Sequence, residues 1–132
     1  MHAVLALRCE VFIVEQNCPY LDPDHKDEHS YHVMGWAGDE LVGVARIVEP
    51  GISYDEVSIG RVATSKEVRR TGAGKILMAK SMEYIEKFYG KVSVRISAQS
   101  YLQKFYEGFG FKRTDKAEYM EDDIPHVEML TY

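Results

Sequence analysis

The sequence predicts an α/β domain (α+β by some definitions) with a mixed, mostly antiparallel central sheet flanked by helices. Three observations carry that expectation. Three β-rich runs, Tyr31–Trp36, Leu41–Val48 and Val57–Thr64, follow one another with turn signals between them. A glycine-containing junction then opens the longest helical pattern, Gly72–Tyr89, and Val92–Ser97 reads as a further strand behind it. Finally, 132 residues with 45% hydrophobic and 28% charged content suit one domain, residues 1–132, large enough to bury a core without disulfide staples.

Taken in order, Ala3–Gln16 has helical spacing, with Val4, Leu7, Val11 and Val14 on one face. No strand precedes it. Asn17–Ser30 reads as a loop, because two prolines and dense polar residues argue against regular structure. Its Asp22, Asp24, Asp27 and Glu28 lack the sixth-position glycine and distal glutamate of a calcium loop, so no metal is expected. A solvated acidic loop is the plain reading; in an enzyme it would draw in a cationic amine. Ala37-Gly38-Asp39-Glu40 signals a hairpin and Pro50-Gly51 a second turn, so the three β runs form an antiparallel meander. Gly72–Tyr89 offers an apolar face of Ile76, Leu77, Met78, Met82, Ile85, Phe88 and Tyr89, and Gly90 stops it. Beyond Val92–Ser97 come a helix at Gln99–Gly108, a strand out of Phe109–Arg113 and a last strand at Val127–Leu130. The strand–helix–strand crossover in the middle is expected to be parallel.

The formal charge of −5 argues against a nucleic-acid partner, since that binding is dominated by phosphate neutralisation. Cys9 and Cys18 are the only cysteines, nothing reads as a secretory leader, and no apolar run approaches the roughly 18 residues of a membrane span. A cytoplasmic location with reduced thiols is expected, with no membrane partner.

The junction carries the chemistry. A helix N-terminus presents backbone N–H groups with no partner in the helix, and its dipole adds about half a positive charge there. Lys66, Arg69, Arg70 and Lys75 crowd the same spot, and Gly72 and Gly74 remove Cβ atoms that would hold an anion away. A phosphate-bearing cofactor is the first hypothesis. It is not bound by a Walker loop, because Arg69 stands where that motif needs glycine and Ile76 follows Gly74-Lys75. Nor is this a dinucleotide fingerprint, since Leu77 replaces the third glycine.

Arg69-Arg70-Thr71-Gly72-Ala73-Gly74 does fit Gln/Arg-x-x-Gly-x-Gly/Ala, and so resembles the GNAT superfamily of acetyl-CoA-dependent N-acetyltransferases. Ala98–Phe111 is similar to the family's second element, Asn-x₆-Tyr…Gly-Phe, with Gln99 in place of asparagine. Leu7–Tyr20, Gly60-Arg61-Val62 and Ile124-Pro125-His126 narrow the resemblance to the ElaA-like branch, over nearly the whole chain. Such folds usually open with a strand before the first helix, and here that strand is apparently missing. An open edge of this kind points to a homodimer.

The resemblance implies acetyl-CoA as co-substrate, no metal, and transfer of an acetyl group to a small amine. Val62, Ala63 and Thr64 would pair with the pantetheine arm by strand addition. The amides of Arg70, Thr71, Gly72, Ala73, Gly74 and Lys75 would hold the pyrophosphate, with charge from Arg69 and Lys75, and Gln99 would replace the asparagine's contact. Tyr106 matches the family's general acid; a phenol near pKa 10 can protonate a thiolate whose thiol titrates at about 8.5. Ser58 sits where some relatives carry a catalytic glutamate, so no base stands out, and His32, His126, Glu15 or a water would substitute. Arg8, Glu15, Tyr20, Arg61 and His126 are the pocket candidates for the acceptor. Two alternatives stay open: a catalytically idle acyl-CoA-binding or regulatory module, and an acyltransferase like the acyl-homoserine-lactone synthases.

Overall fold

The computed structural model describes residues 2–11, 25–69 and 71–131, without the side chains of His25 and Glu67. Its elements are α1 (His2–Cys9), β1 (Ser30–Ala37), β2 (Glu40–Val48), β3 (Ser58–Thr64), α2 (Ala73–Tyr89), β4 (Arg95–Gln99), α3 (Gln103–Glu107), β5 (Lys112–Arg113), β6 (Tyr119–Glu121) and β7 (Ile124–Leu130). A turn of 3₁₀ helix at His25–His29 interrupts the expected loop, and two more precede α2 and α3 at Lys66–Val68 and Ser100–Leu102.

The antiparallel meander is as the turn signals require. β1 pairs with β2 through the Gly38–Asp39 turn, and β2 pairs with β3. β2 is buried from Val42 to Val48, because both of its faces are covered. On one face Val44 and Ala63 meet Val4 and Leu7 of α1. On the other, Ala45, Ile47 and Ile59 pack with Leu77, Met78 and Ile85 of α2 in the main core. A strand covered on both faces loses the polar alternation of a surface strand, which is why Leu41–Val48 reads as an almost continuous apolar run. The exception is Arg46, a charge 5% exposed in the middle of it.

The second sheet is ordered β4-β7-β5, with β6 also on β7. The expected parallel crossover exists, but among the described residues it amounts to one bridge, Val57 with Val94, closed by the Arg95 amide donating to the Val57 carbonyl at 3.1 Å. Arg95 pins this seam: its guanidinium bonds both Glu56 oxygens, at 2.9 and 3.0 Å, and also Glu128 on β7. The fork holds the Glu56 carboxyl below its ordinary pKa by hydrogen bonding its charged form. Beyond the bridge β3 and β4 no longer pair, and a cavity opens between them.

Several elements differ from the sequence expectation, and the last strand starts at Ile124, not Val127, because the β6 hairpin extends it. The fourth strand begins at Arg95 and runs to Gln99, later than Val92–Ser97, because Gln99 stays extended (φ −58°, ψ 131°) to pair with His126. The helix expected from Gln99 therefore starts only after the 3₁₀ turn, at Gln103. β6 was absent from the expected order; it is three residues long and exists by pairing with β7. The first helix is described to residue 11, with residues 10–11 in a π-type turn, and the expected continuation to Gln16 lies outside the described residues. The first element among the described residues is α1.

Candidate active site

The cavity between the sheets measures about 260 Å³. β2 contributes Arg46 and Val48, β3 contributes Ser58 to Val62, and β4 contributes Ile96, Ser97 and Gln99. Leu102 and Tyr106 close it from the α3 side; Tyr54 reaches it from the β2–β3 loop, Lys26 from the 3₁₀ turn before β1, and Glu121, Asp122, Ile124 and His126 from the β6–β7 hairpin. Five residues proposed from sequence thus meet in one cavity: Arg61, Val62, Gln99, Tyr106 and His126.

β3 is irregular where it borders this cavity. Arg46 pairs with Gly60 and Val44 with Ala63, so Arg61 and Val62 together face only Ala45. This is a β-bulge, and Arg61 sits in it at φ 50°, left-handed backbone that a side-chain-bearing residue adopts at a cost. The bulge was not read from the sequence, although a glycine inside a strand pattern, Gly60, is its usual signal. Past the bulge, Ala63 is buried against α1 and Thr64 ends the strand.

The junction follows directly. Arg69 donates to the Thr64 carbonyl from Nε at 3.1 Å and from Nη2 at 2.8 Å, and so ties the loop back to the end of β3. The Thr71 hydroxyl donates to the Val68 carbonyl at 2.5 Å. Gly72 caps α2 at φ +88°, a conformation suited to glycine. The first intrahelical bond from this end is Ile76 N–H to Gly72 carbonyl, at 3.1 Å. Among the described residues no side chain caps α2 and its first turn holds no acidic residue, so the amides of Ala73, Gly74 and Lys75 stand at the helix end with Lys75 exposed beside them. A Cβ on Gly74 would stand 3.8 Å from the Phe105 ring, and Phe105 contacts Tyr106 edge-on at 5.2 Å. The bare helix end and the cavity tyrosine therefore sit on adjoining ground. Arg70 lies outside the described residues.

Tyr106 is 9% exposed, and its hydroxyl makes no hydrogen bond among the described residues. Burial pushes its pKa up to about 12, with a smaller contribution from the Tyr101 charge, so it remains a protonated donor across the neutral range. His126 donates from Nδ1 to the Ile124 carbonyl at 2.7 Å and stacks on Tyr119.

Arg8 is elsewhere. It is almost fully buried and bonds Asp27 at 2.8 and 3.4 Å, while Arg46 reaches the same carboxylate at 3.2 Å. Asp27, read from the sequence as part of a solvated loop, instead ties α1 to β2, because two interior guanidiniums need a carboxylate. His32 bonds the Asp27 carbonyl at 3.3 Å. Glu15 and Tyr20 lie outside the described residues. Sequence reasoning passed over Arg46, Tyr54, Ser97 and Glu121. Only Arg46 carried a signal, a charge within an apolar strand.

A family model described as an acetyltransferase (GNAT) domain matches residues 9–131. The chain belongs to the GNAT acetyltransferase family. It is 43% identical over 131 residues to the protein ElaA of Escherichia coli, covering 98% of this chain and 85% of ElaA. The crystal structure of Escherichia coli ElaA superposes with a TM-score of 0.91 at 41% identity, over 99% of this chain and 88% of that one. An acyl-CoA N-acyltransferase from Pseudomonas aeruginosa gives a TM-score of 0.93 at 38% identity, over 99% and 89%. A Bacillus subtilis acetyltransferase solved in complex with CoA, 19% identical with a TM-score of 0.73 over 99% and 91%, shares the fold. The ElaA-like resemblance thus holds over nearly the full length. Among the described residues no helix is long and apolar enough to cross a membrane.

Proposed function

We propose that this chain is an acetyl-CoA-dependent N-acetyltransferase that moves the acetyl group directly to a small amine in a ternary complex. The observation that carries the reading is Tyr106, a buried phenol without a hydrogen-bond partner among the described residues, facing a cavity next to an uncapped helix N-terminus. The pyrophosphate of the donor would take the amides of Ala73 to Lys75, where the helix dipole and Lys75 favour negative charge. The pantetheine arm, which carries amide groups, would pair along Val62 to Thr64, on the side of β3 that has no strand partner among the described residues past the Val57 bridge. Gln99 lines the same passage. A protein of the same fold has been solved in complex with CoA, which supports CoA as the carrier of the donor group.

Transfer then needs a neutral amine, a stabilised oxyanion and a proton for the departing thiolate. Tyr106 supplies the proton: its raised pKa keeps it loaded, and the exergonic direction is set by the stronger resonance stabilisation of the amide relative to the thioester. Holding both substrates in one small cavity removes the cost of bringing them together. We further infer a cytoplasmic enzyme acting on small molecules. Monitoring CoA release with a panel of amines tests the reading. Tight acetyl-CoA binding without any turnover would instead mark an idle acyl-CoA-binding module.

A further inference from the structure

The β6–β7 hairpin carries a cluster that the donor chemistry leaves unused. Its two-residue turn, Asp122–Asp123, has both residues at positive φ, 51° and 63°, which matches the twist of a tight hairpin. The turn sets Glu121 opposite Ile124, and the ladder sets Tyr119 opposite His126. Because a carbonyl only accepts, the 2.7 Å contact to Ile124 fixes the hydrogen on His126 Nδ1. In the neutral ring, Nε2 is then a lone pair, and it faces the Glu121 carboxylate at 3.2 Å. Two acceptors turned toward each other call for a donor. The Ser97 hydroxyl, itself bonded to Tyr119, donates to the same Glu121 oxygen at 3.2 Å and holds the carboxylate in place. Both Glu121 and His126 line the cavity that Tyr106 lines.

We propose that the Glu121–His126 pair binds the ammonium of the acceptor and takes its proton, a role that rests on the N-acetyltransferase reading above. The ammonium donates to the carboxylate and to Nε2 and passes one proton to Nε2, giving an imidazolium held against Glu121. The freed amine attacks the acetyl carbonyl, forming the C–N bond; collapse of the adduct breaks the C–S bond. The thiolate takes its proton from Tyr106, which recovers one from the nitrogen of the adduct. Ammonium and thioester thus become amide, thiol and one proton, and that proton leaves through Glu121, whose side chain is 53% exposed.

Other charged groups face the pair: Lys26, Arg46 and Arg61 across the cavity, Asp122 at the rim, and Tyr119 stacked on the ring. Tyr54 and Tyr106 are both pushed up to about 12, chiefly by burial, and do not titrate in the neutral range. The acid limb of the pH profile therefore reports loss of the acceptor ammonium's proton.

The test is CoA release with spermidine and with glucosamine 6-phosphate as probes, across neutral and mildly alkaline pH, alongside calorimetric acetyl-CoA binding. Glu121→Gln is expected to lower kcat/KM at neutral pH about 100-fold and to move the acid limb toward the pKa of the amine, with acetyl-CoA affinity unchanged within about twofold. His126→Gln should do the same; because His126 is buried, Glu121→Gln alone decides should that variant not fold. An active wild type whose Glu121→Gln variant keeps both its kcat/KM and its limb overturns the pair alone. A wild type that binds acetyl-CoA and releases no CoA with either probe overturns the N-acetyltransferase reading, and the pair with it.

Discussion

The α2 junction and the β6–β7 hairpin border the same candidate site, and they are made in opposite ways. The junction is local. Its chemistry comes from consecutive residues 69 to 75, and each feature there follows from chain geometry: a left-handed Gly72, an uncapped helix end and a lysine in the first turn. The hairpin cluster is assembled from afar. Ser97 of β4 meets Glu121 and His126 of the hairpin, and Tyr54 joins them at the cavity from a third segment, only because the second sheet forms. A site for a phosphate can be written into one turn of chain, since any bare helix end supplies it. A site that distinguishes one amine from another needs groups on several sides, so it waits for tertiary structure.

The predictions probe that contrast. The largest effect is expected from Tyr106→Phe, which should cut kcat by about 10² to 10³ while leaving acetyl-CoA affinity intact. Single-turnover kinetics with calorimetry checks this, and unchanged turnover would remove Tyr106 from the chemistry. Asp27→Ala comes next. It strips a carboxylate from the buried Arg8 and Arg46, so urea unfolding should show a loss of about 3 kcal/mol. A loss below about 0.5 kcal/mol would mean that Asp27 does not hold α1 to β2.

Gly72→Ala sharpens the junction's side of the comparison. Among the described residues no atom lies within 4 Å of the added methyl, so the stability cost is conformational, about 1–2 kcal/mol for a left-handed residue. If a pyrophosphate uses this turn, the acetyl-CoA dissociation constant should rise as well; lost stability with unaltered affinity would separate the turn from the cofactor.

The smallest effect is at alkaline pH. Tyr106 and Tyr54 titrate near 10 in the unfolded chain and are raised to about 12 in the fold. Between those values the unfolded chain has released protons that the fold retains, so stability is full below about 10 and falls as pH rises toward 12. Tyr106→Phe should flatten that decline in denaturant titrations. An equally steep decline in the variant would assign it to other groups.

Much of the fold was legible because its elements obey short-range rules. The β1–β2 hairpin follows from Gly38, and the long helix from its apolar face, ending at Gly90, which sits at φ 81°. Errors collected where pairing partners decide. Gln99 favours no conformation strongly, and its ladder with His126 made it strand. β6 is too short and too polar to announce itself, and β7 alone gives it a partner.

By itself, then, the sequence determined the meander, the α2 junction and the family, because periodicity, glycine placement and a compact motif are properties of neighbouring residues. Only the tertiary structure decided that the two sheets meet at the Val57–Val94 bridge, that Arg61 stands in a bulge, that Arg8 serves Asp27 outside the cavity, and that Glu121 faces His126. Each of those depends on which distant strand lies alongside, and strand register is settled by the packing of the whole core.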